Sequence, residues 1–109
     1  MKKISYTIGK ALTSAYILYS CLKEPKSGYR LMQDARGLSI ANWSSGSFYP
    51  TVDALVKGGM LSKGSGKGNR ANNAYRTTKI GKEYLGRISQ YFRKQELRIF
   101  FSALMEGRF

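Results

Sequence analysis

WSSGSFYPTVDALVKGGML, residues 43–61, decides how the rest of this chain is read. Ser44 suits a helix N-cap, because its hydroxyl can accept a hydrogen bond from a free amide of the first turn. Trp43 and Phe48 then occupy the two positions that pack together as a hydrophobic staple. Phe48, Val52, Leu55 and Val56 follow at helical spacing and form one apolar stripe. Gly58 and Gly59 end the helix, since glycine tolerates the left-handed geometry of a helix terminus. The opposite face carries Gly46, Ser47, Pro50, Asp53, Ala54 and Lys57. These are small or polar, so the face can lie close against a surface of hydrogen-bonding groups, such as the floor of a DNA major groove. Pro50 removes a backbone bond to the carbonyl of Gly46. Either a distorted first turn or a helix that starts later would absorb it.

Working outward, the preceding chain supplies two more helices. From about Ile8 to Lys23 the residues Ile8, Leu12, Ala15, Tyr16, Tyr19 and Leu22 recur at helical spacing, after a basic arm over residues 1–7. Pro25 and the following Lys26, Ser27 and Gly28 break that helix. Ser27 can cap a second, about Gly28 to Arg36, with Tyr29, Leu31, Met32 and Ala35 as its apolar contacts and Gly37 as its stop. Three short helices joined by tight turns describe a helix-turn-helix.

Downstream, Met60–Lys63 and Ala74–Thr78 read as two strands, the second rich in β-branched and aromatic residues. The link between them, GSGKGNRANN over residues 64–73, is a Gly- and Asn-rich turn. It is not a nucleotide-binding loop, which needs Ser or Thr directly after its lysine. Gly68 follows Lys67 instead, and no helix-forming run comes next. A hairpin directly after the candidate reading helix makes a wing. Between Ala54 and Lys82 stand seven basic residues (Lys57, Lys63, Lys67, Arg70, Arg76, Lys79 and Lys82) and no acid.

That asymmetry belongs to a wider excess. Nineteen Lys and Arg face six Asp and Glu, a formal charge of +13. Self-repulsion on this scale opposes a compact fold, so a polyanion is the expected partner. The 109 residues make one small domain with a modest core, for which a second subunit is a plausible supplement. There is no histidine and a single cysteine, Cys21. Neither a histidine-activated nucleophile nor a cysteine cluster for zinc can form. With no cofactor loop either, an enzyme is not expected, and no metal or other cofactor is called for. No apolar run reaches the roughly 18–20 residues that span a bilayer, and the start lacks the features of a signal peptide. A reduced, cytoplasmic protein is the simplest expectation, with no membrane partner.

The last segment, Lys79–Phe109, reads as a helix of roughly 25 residues, on the order of 37 Å long, with Thr78 as its N-cap. Its apolar positions include Tyr84, Ile88, Tyr91, Phe92, Ile99, Phe100, Phe101, Leu104 and Met105. That exceeds what the small winged unit can cover, so a second copy is the economical cover, giving a two-fold dimer. A break near Gln95 or Glu96 is the alternative to one continuous helix. A basic membrane-surface helix is the rival to a dimer, but it leaves the wing without a purpose. The organisation expected is thus a winged helix-turn-helix over residues 1–78, mainly α with a small β-hairpin, and a C-terminal dimerisation helix over residues 79–109.

Candidate contacts follow from chemistry. Ser44, Ser45 and Ser47 sit where free amides and hydroxyls can meet a phosphate. Ser47, Tyr49, Pro50, Thr51 and Asp53 are placed to approach base edges or sugars. Asp53 either accepts from a cytosine amino group or fixes a nearby lysine. Lys57, Lys63, Lys67, Arg70 and Arg76 are candidates for phosphate, with Asn72 and Asn73 beside them. Ser27 and Tyr29 can reach the backbone from the other side.

The succession Ile17-Leu18, Gly28-Tyr29, Ser45-Gly46-Ser47-Phe48-Tyr49-Pro50-Thr51, then Leu55, Gly59, Leu61, and Ala74-Tyr75-Arg76-Thr77-Thr78 with Gly81, resembles the PadR family of winged-helix transcriptional regulators. The resemblance covers about Ala15 to Leu85. It implies a dimeric repressor of double-stranded DNA, with the reading helix in the major groove, the wing near the backbone or minor groove, and dimerisation through the last helix. In many members it also implies relief of repression by a small aromatic or cationic compound. The chain departs from the pattern at Thr77, where the family usually has Leu, in the Gly/Asn-rich loop 64–73, and in its short C-terminal region. Two other classes stand beside this reading. One is a sequence-neutral architectural protein that coats DNA through charge; the other is a ligand- or partner-binding module without operator binding.

Overall fold

A computed structural model describes residues 2–37, 45–64 and 74–109, with side chains from Ala11 onward and, in the third helix, from Gly46. Five helices and three short strands follow in the order α1 (Lys2–Lys23), β1 (Lys26–Ser27), α2 (Gly28–Gly37), α3 (Ser45–Lys57), β2 (Leu61–Lys63), β3 (Ala74–Thr77), α4 (Lys79–Phe92) and α5 (Gln95–Glu106). The first helix starts at Lys2, not near Ile8. Nothing in residues 2–7 breaks a helix, so the segment read as a basic arm forms its opening turns.

The core is one cluster. Ile17, Leu18 and Cys21 from α1 meet Leu31, Met32 and Ala35 from α2 and Phe48, Val52 and Leu55 from α3, closed by Leu61 and Tyr75 of the sheet. All four apolar positions of the α3 stripe therefore point as their spacing requires, with Val56 half-buried at its edge. The helix runs unbroken through Pro50.

The exit from α3 shows why a glycine stands at position 59. Gly59 has φ of 77°, a conformation costly for any residue with a Cβ. Its N–H bonds the carbonyl of Val56 at 3.0 Å, and the N–H of Met60 bonds that of Leu55 at 2.9 Å. This is the Schellman pattern, which satisfies carbonyls the helix leaves open and turns the chain directly into β2.

The sheet has the order β1-β3-β2, all antiparallel. The two-stranded wing thus gains a third strand: Lys26 pairs with Tyr75 and Ser27 with Ala74. Two residues are too few for periodicity to reveal, and the pairing is made by tertiary contact. Thr77 donates a hydrogen bond from its hydroxyl to the carbonyl of Leu18 at 2.6 Å, tying β3 to α1. Thr77 thus serves as a polar tether between the sheet and the first helix.

Thr78 caps α4, its hydroxyl oxygen accepting from the N–H of Gly81 at 3.2 Å. Gly81 is buried against the carbonyl of Met60, and Tyr84 and Leu85 pack on the core. The first half of α4 therefore belongs to the winged unit. Of the two readings of the last segment, the one with a break holds, a residue ahead of Gln95: Arg93 still has helical geometry, whereas Lys94 at φ −55° and ψ 133° breaks the path. No proline or glycine forces this. Phe92 and Phe101 close on each other edge-to-face with ring centres 5.1 Å apart, and that contact accompanies the bend. Among the described residues, no helix is long and apolar enough to cross a membrane.

Candidate nucleic-acid interface

The outer face of α3 is a continuous stripe. Gly46, Pro50, Asp53, Ala54 and Lys57 are all exposed, and their spacing puts them within one side of the helix. No side chain there is large except Lys57 at the end, so the backbone itself can approach a partner closely. Ser47, half-buried, borders the stripe. The backbone of Ser45 opens the helix.

Two residues of the expected reading set point elsewhere. Thr51 is only 4 % exposed and its hydroxyl donates to the carbonyl of Ser47 at 3.2 Å. This corrects its assignment to a base or sugar contact: it lies beside Val52 on the apolar side and satisfies its own hydroxyl within the helix. Tyr49 is half-buried, packed against the core and edge-to-face on Phe48 with ring centres 5.8 Å apart. Its ring fills the space over Gly28, where an added Cβ would stand 2.9 Å from Tyr49 Cε1. Gly28 thus leaves room for the Tyr49 ring where α2 approaches α3; a Cβ there would force that ring to shift.

Behind the stripe, Tyr75 joins strand to helix. Burial pushes its phenol above the usual range, and the carboxylate of Asp53 pushes the same way.

Ser27 ends β1 and caps α2, its hydroxyl accepting from the N–H of Arg30 at 3.1 Å. Tyr29 is 62 % exposed, its phenol oxygen accepting from the Gln33 amide at 3.0 Å. Arg30, not singled out from the sequence, is exposed beside them and reaches Asp34 at 3.6 Å, while Lys26 reaches the same carboxylate at 3.5 Å. One acid thus holds two cations at the start of α2.

On the wing, Ser62 lies opposite Arg76 and donates to its carbonyl at 3.3 Å, and Lys63 lies opposite Tyr75. Alternation sends Arg76 to the outer face of the sheet and Lys63 to the same face as Leu61 and Tyr75, at its open end. Lys57, Lys63, Arg76, Lys79 and Lys82 are all exposed. Ser44 and the wing-tip candidates Lys67, Arg70, Asn72 and Asn73 lie outside the described residues, as does Trp43.

Of the candidate dimer contacts, Tyr84 is half-buried on the core and Ile88 is half-buried. Tyr91, Phe92, Ile99, Phe100, Phe101, Leu104 and Met105 remain exposed on a single chain. No residue of α5 is buried. Among the described residues, no group of His, Cys, Asp or Glu is placed to hold a metal ion.

Comparison with known proteins agrees with this geometry. No curated protein matches the chain. Solved structures do. A protein of Streptococcus mutans UA159 superposes with a TM-score of 0.69 at 23% identity, over 92% of each chain. A candidate transcriptional regulator of Thermoplasma acidophilum gives 0.69 at 25% identity, over 91% of this chain and 96% of its own. A PadR-like transcription factor of Bacteroides fragilis gives 0.67 at 19% identity, over 93% and 99%. The model of the transcriptional regulator PadR-like family matches residues 17–87, from the core of α1 to the middle of α4. The chain is a winged helix-turn-helix DNA-binding transcriptional regulator and belongs to the PadR-like family.

Proposed function

We propose that the chain is a repressor that binds an inverted-repeat operator as a homodimer, with α3 in the major groove and the β2–β3 wing on the adjacent backbone. The observation that carries this reading is the bare, exposed stripe of α3 flanked by exposed lysines and arginines. The small residues admit the helix to a groove, Asp53 supplies an acceptor for a base amino group, and the cations hold phosphates. The two copies pair through the α4–α5 region, whose aromatic residues are left open on a single chain. A groove of about 560 Å³ beside it, lined by Leu12, Phe92, Phe101 and Met105 and edged by Arg98 and Ser102, has a size and an apolar lining that suit a small aromatic effector.

The test is a titration of DNA by fluorescence anisotropy across a salt series. Binding weakens with a log–log slope near −0.9 per phosphate neutralised. Replacing Lys67 and Arg70 with Ala flattens that slope by about 2 without moving sequence preference. An unchanged slope removes the wing from the interface. Equal affinity for every duplex would instead favour coating by charge.

A further inference from the structure

On the reading above, with α3 in the major groove, the start of α2 lies against the flanking phosphates, because in a helix-turn-helix the helix before the reading helix crosses the duplex backbone. We propose that Asp34 is a positioning residue for DNA binding there. Its carboxylate holds the Arg30 guanidinium ready for a backbone phosphate, so this acid strengthens the grip on a polyanion. Tyr29, Arg30 and Gln33 are exposed side by side on the outer face of α2, with Asp34, the one acid of that helix, next to them. The two oxygens of Asp34 hold different cations, Oδ1 the Nε of Arg30 at 3.6 Å and Oδ2 the Nζ of Lys26 at 3.5 Å. Arg30 is thus engaged through Nε alone. Its two terminal amino groups have no partner among the described residues, and its side chain is 64 % exposed. Tyr29 accepts from the Gln33 amide at 3.0 Å and keeps its own O–H to donate. Two guanidinium amino groups and a phenol O–H on one face are the donors a phosphate takes.

On charge alone, an acid at this place weakens binding. Two features reverse the sign. Lys26 offsets the carboxylate: its side chain is only 19 % exposed, so it serves Asp34 and not a partner. The trio of Lys26, Asp34 and Arg30 therefore keeps one net positive charge, at its exposed end. The carboxylate also fixes a long side chain before DNA arrives. A free arginine loses rotamer freedom when it meets a phosphate, and one already held loses less. The hold is itself anchored. Lys26 belongs to β1, where it pairs with Tyr75 of β3, and Ser27 beside it accepts from the N–H of Arg30 at 3.1 Å. Backbone and side chain together thus fix Arg30 to the sheet that carries the wing.

The experiment is a double-mutant cycle on the full chain, read by fluorescence anisotropy with a labelled duplex of random sequence across a salt series. The contact is to phosphate, so no operator is needed. Asp34→Asn removes a negative charge from a chain of formal charge +13. Binding nonetheless weakens about fivefold, and the log–log salt slope flattens by about 0.9, the share of one phosphate. Arg30→Ala weakens binding at least as much, with the same change of slope. In the Arg30→Ala background, Asp34→Asn has the opposite sign and tightens binding about twofold, because the acid then only repels. Damage to the fold would weaken binding in both backgrounds, so the change of sign separates positioning from damage, and circular dichroism checks each variant. If Asp34→Asn binds as tightly as the wild type or more so, or weakens binding equally in both backgrounds, Asp34 is not a positioning residue. If the Lys67→Ala/Arg70→Ala variant still flattens the slope by about 2, the groove reading survives that failure. If neither set of variants moves the slope, both fall.

Discussion

Gly81→Ala and Gly86→Ala place one substitution twice in the same helix, with opposite expected signs. Alanine is the better helix former by about 1 kcal/mol, so both would stabilise α4 on propensity alone. At Gly86 nothing lies within 4 Å of the added Cβ, and the full gain of up to about 1 kcal/mol is expected. At Gly81 the Cβ would run into the backbone carbonyl of Met60 and stand 2.7 Å from Thr77 Cγ2. That carbonyl accepts the N–H of Thr78 at 3.0 Å, and Thr78 in turn caps the N–H of Gly81 at 3.2 Å. Moving α4 outward to make room strains both bonds. Loss of a cap costs about 1 kcal/mol, a weakened hydrogen bond about 1, and residual overpacking 1–3. Against the propensity gain, the net is a destabilisation of about 2–4 kcal/mol. Urea denaturation at one fixed protein concentration reads it directly. The midpoint falls by about 1–2 M for Gly81→Ala and rises slightly for Gly86→Ala. If Gly81→Ala is as stable as the wild type, the packing of α4 against the β2–β3 junction is not as described.

Three further outcomes follow from named contacts. Gly28→Ala displaces the Tyr49 ring and with it the seating of α2 on α3; DNA affinity should fall about tenfold in anisotropy titrations while stability drops by only about 1 kcal/mol. Burial pushes the Cys21 thiol up to about 11, opposed by Lys26, so the thiol is neutral and inert at ordinary pH. The unfolded chain ionises first, near 9, so this contribution to stability is complete below pH 9 and is lost as pH rises towards 11, by about 2 kcal/mol; Cys21→Ala should flatten that part of the pH profile. Lys94 stands at the N-cap of α5 with no side-chain cap bond, so Lys94→Asp should protect α5 amides from hydrogen exchange about fivefold, and unchanged exchange would mean that α5 is not capped there.

The parts of this fold that a reader can take from the residues are those fixed by local chemistry. Ser27, Thr78 and the Gly58–Gly59 pair mark helix ends because capping and left-handed turns are properties of a few neighbouring residues. The stripe Phe48, Val52, Leu55 fixes the inner face of α3, and by subtraction the outer one. Thr51 was legible too, since its position falls beside Val52 on that inner side; its hydroxyl suggested a contact its angle does not allow. What could not be read is what distant segments impose. Strand β1 is two residues held only by β3, and Gly28 matters only because the Tyr49 ring arrives above it. The break that the sequence offered near Gln95 or Glu96 falls at Lys94; no proline or glycine fixes that position, which accompanies the contact between Phe92 and Phe101 across the turn.

Selection of bound duplexes from a random pool tests the reading helix most directly. The account expects one enriched motif with two-fold symmetry, its half-sites about one helical turn or roughly 34 Å apart, and a shift in the bases selected when Asp53 is replaced by Ala. A pool that emerges with no preferred sequence, or a preference indifferent to Asp53, would contradict it.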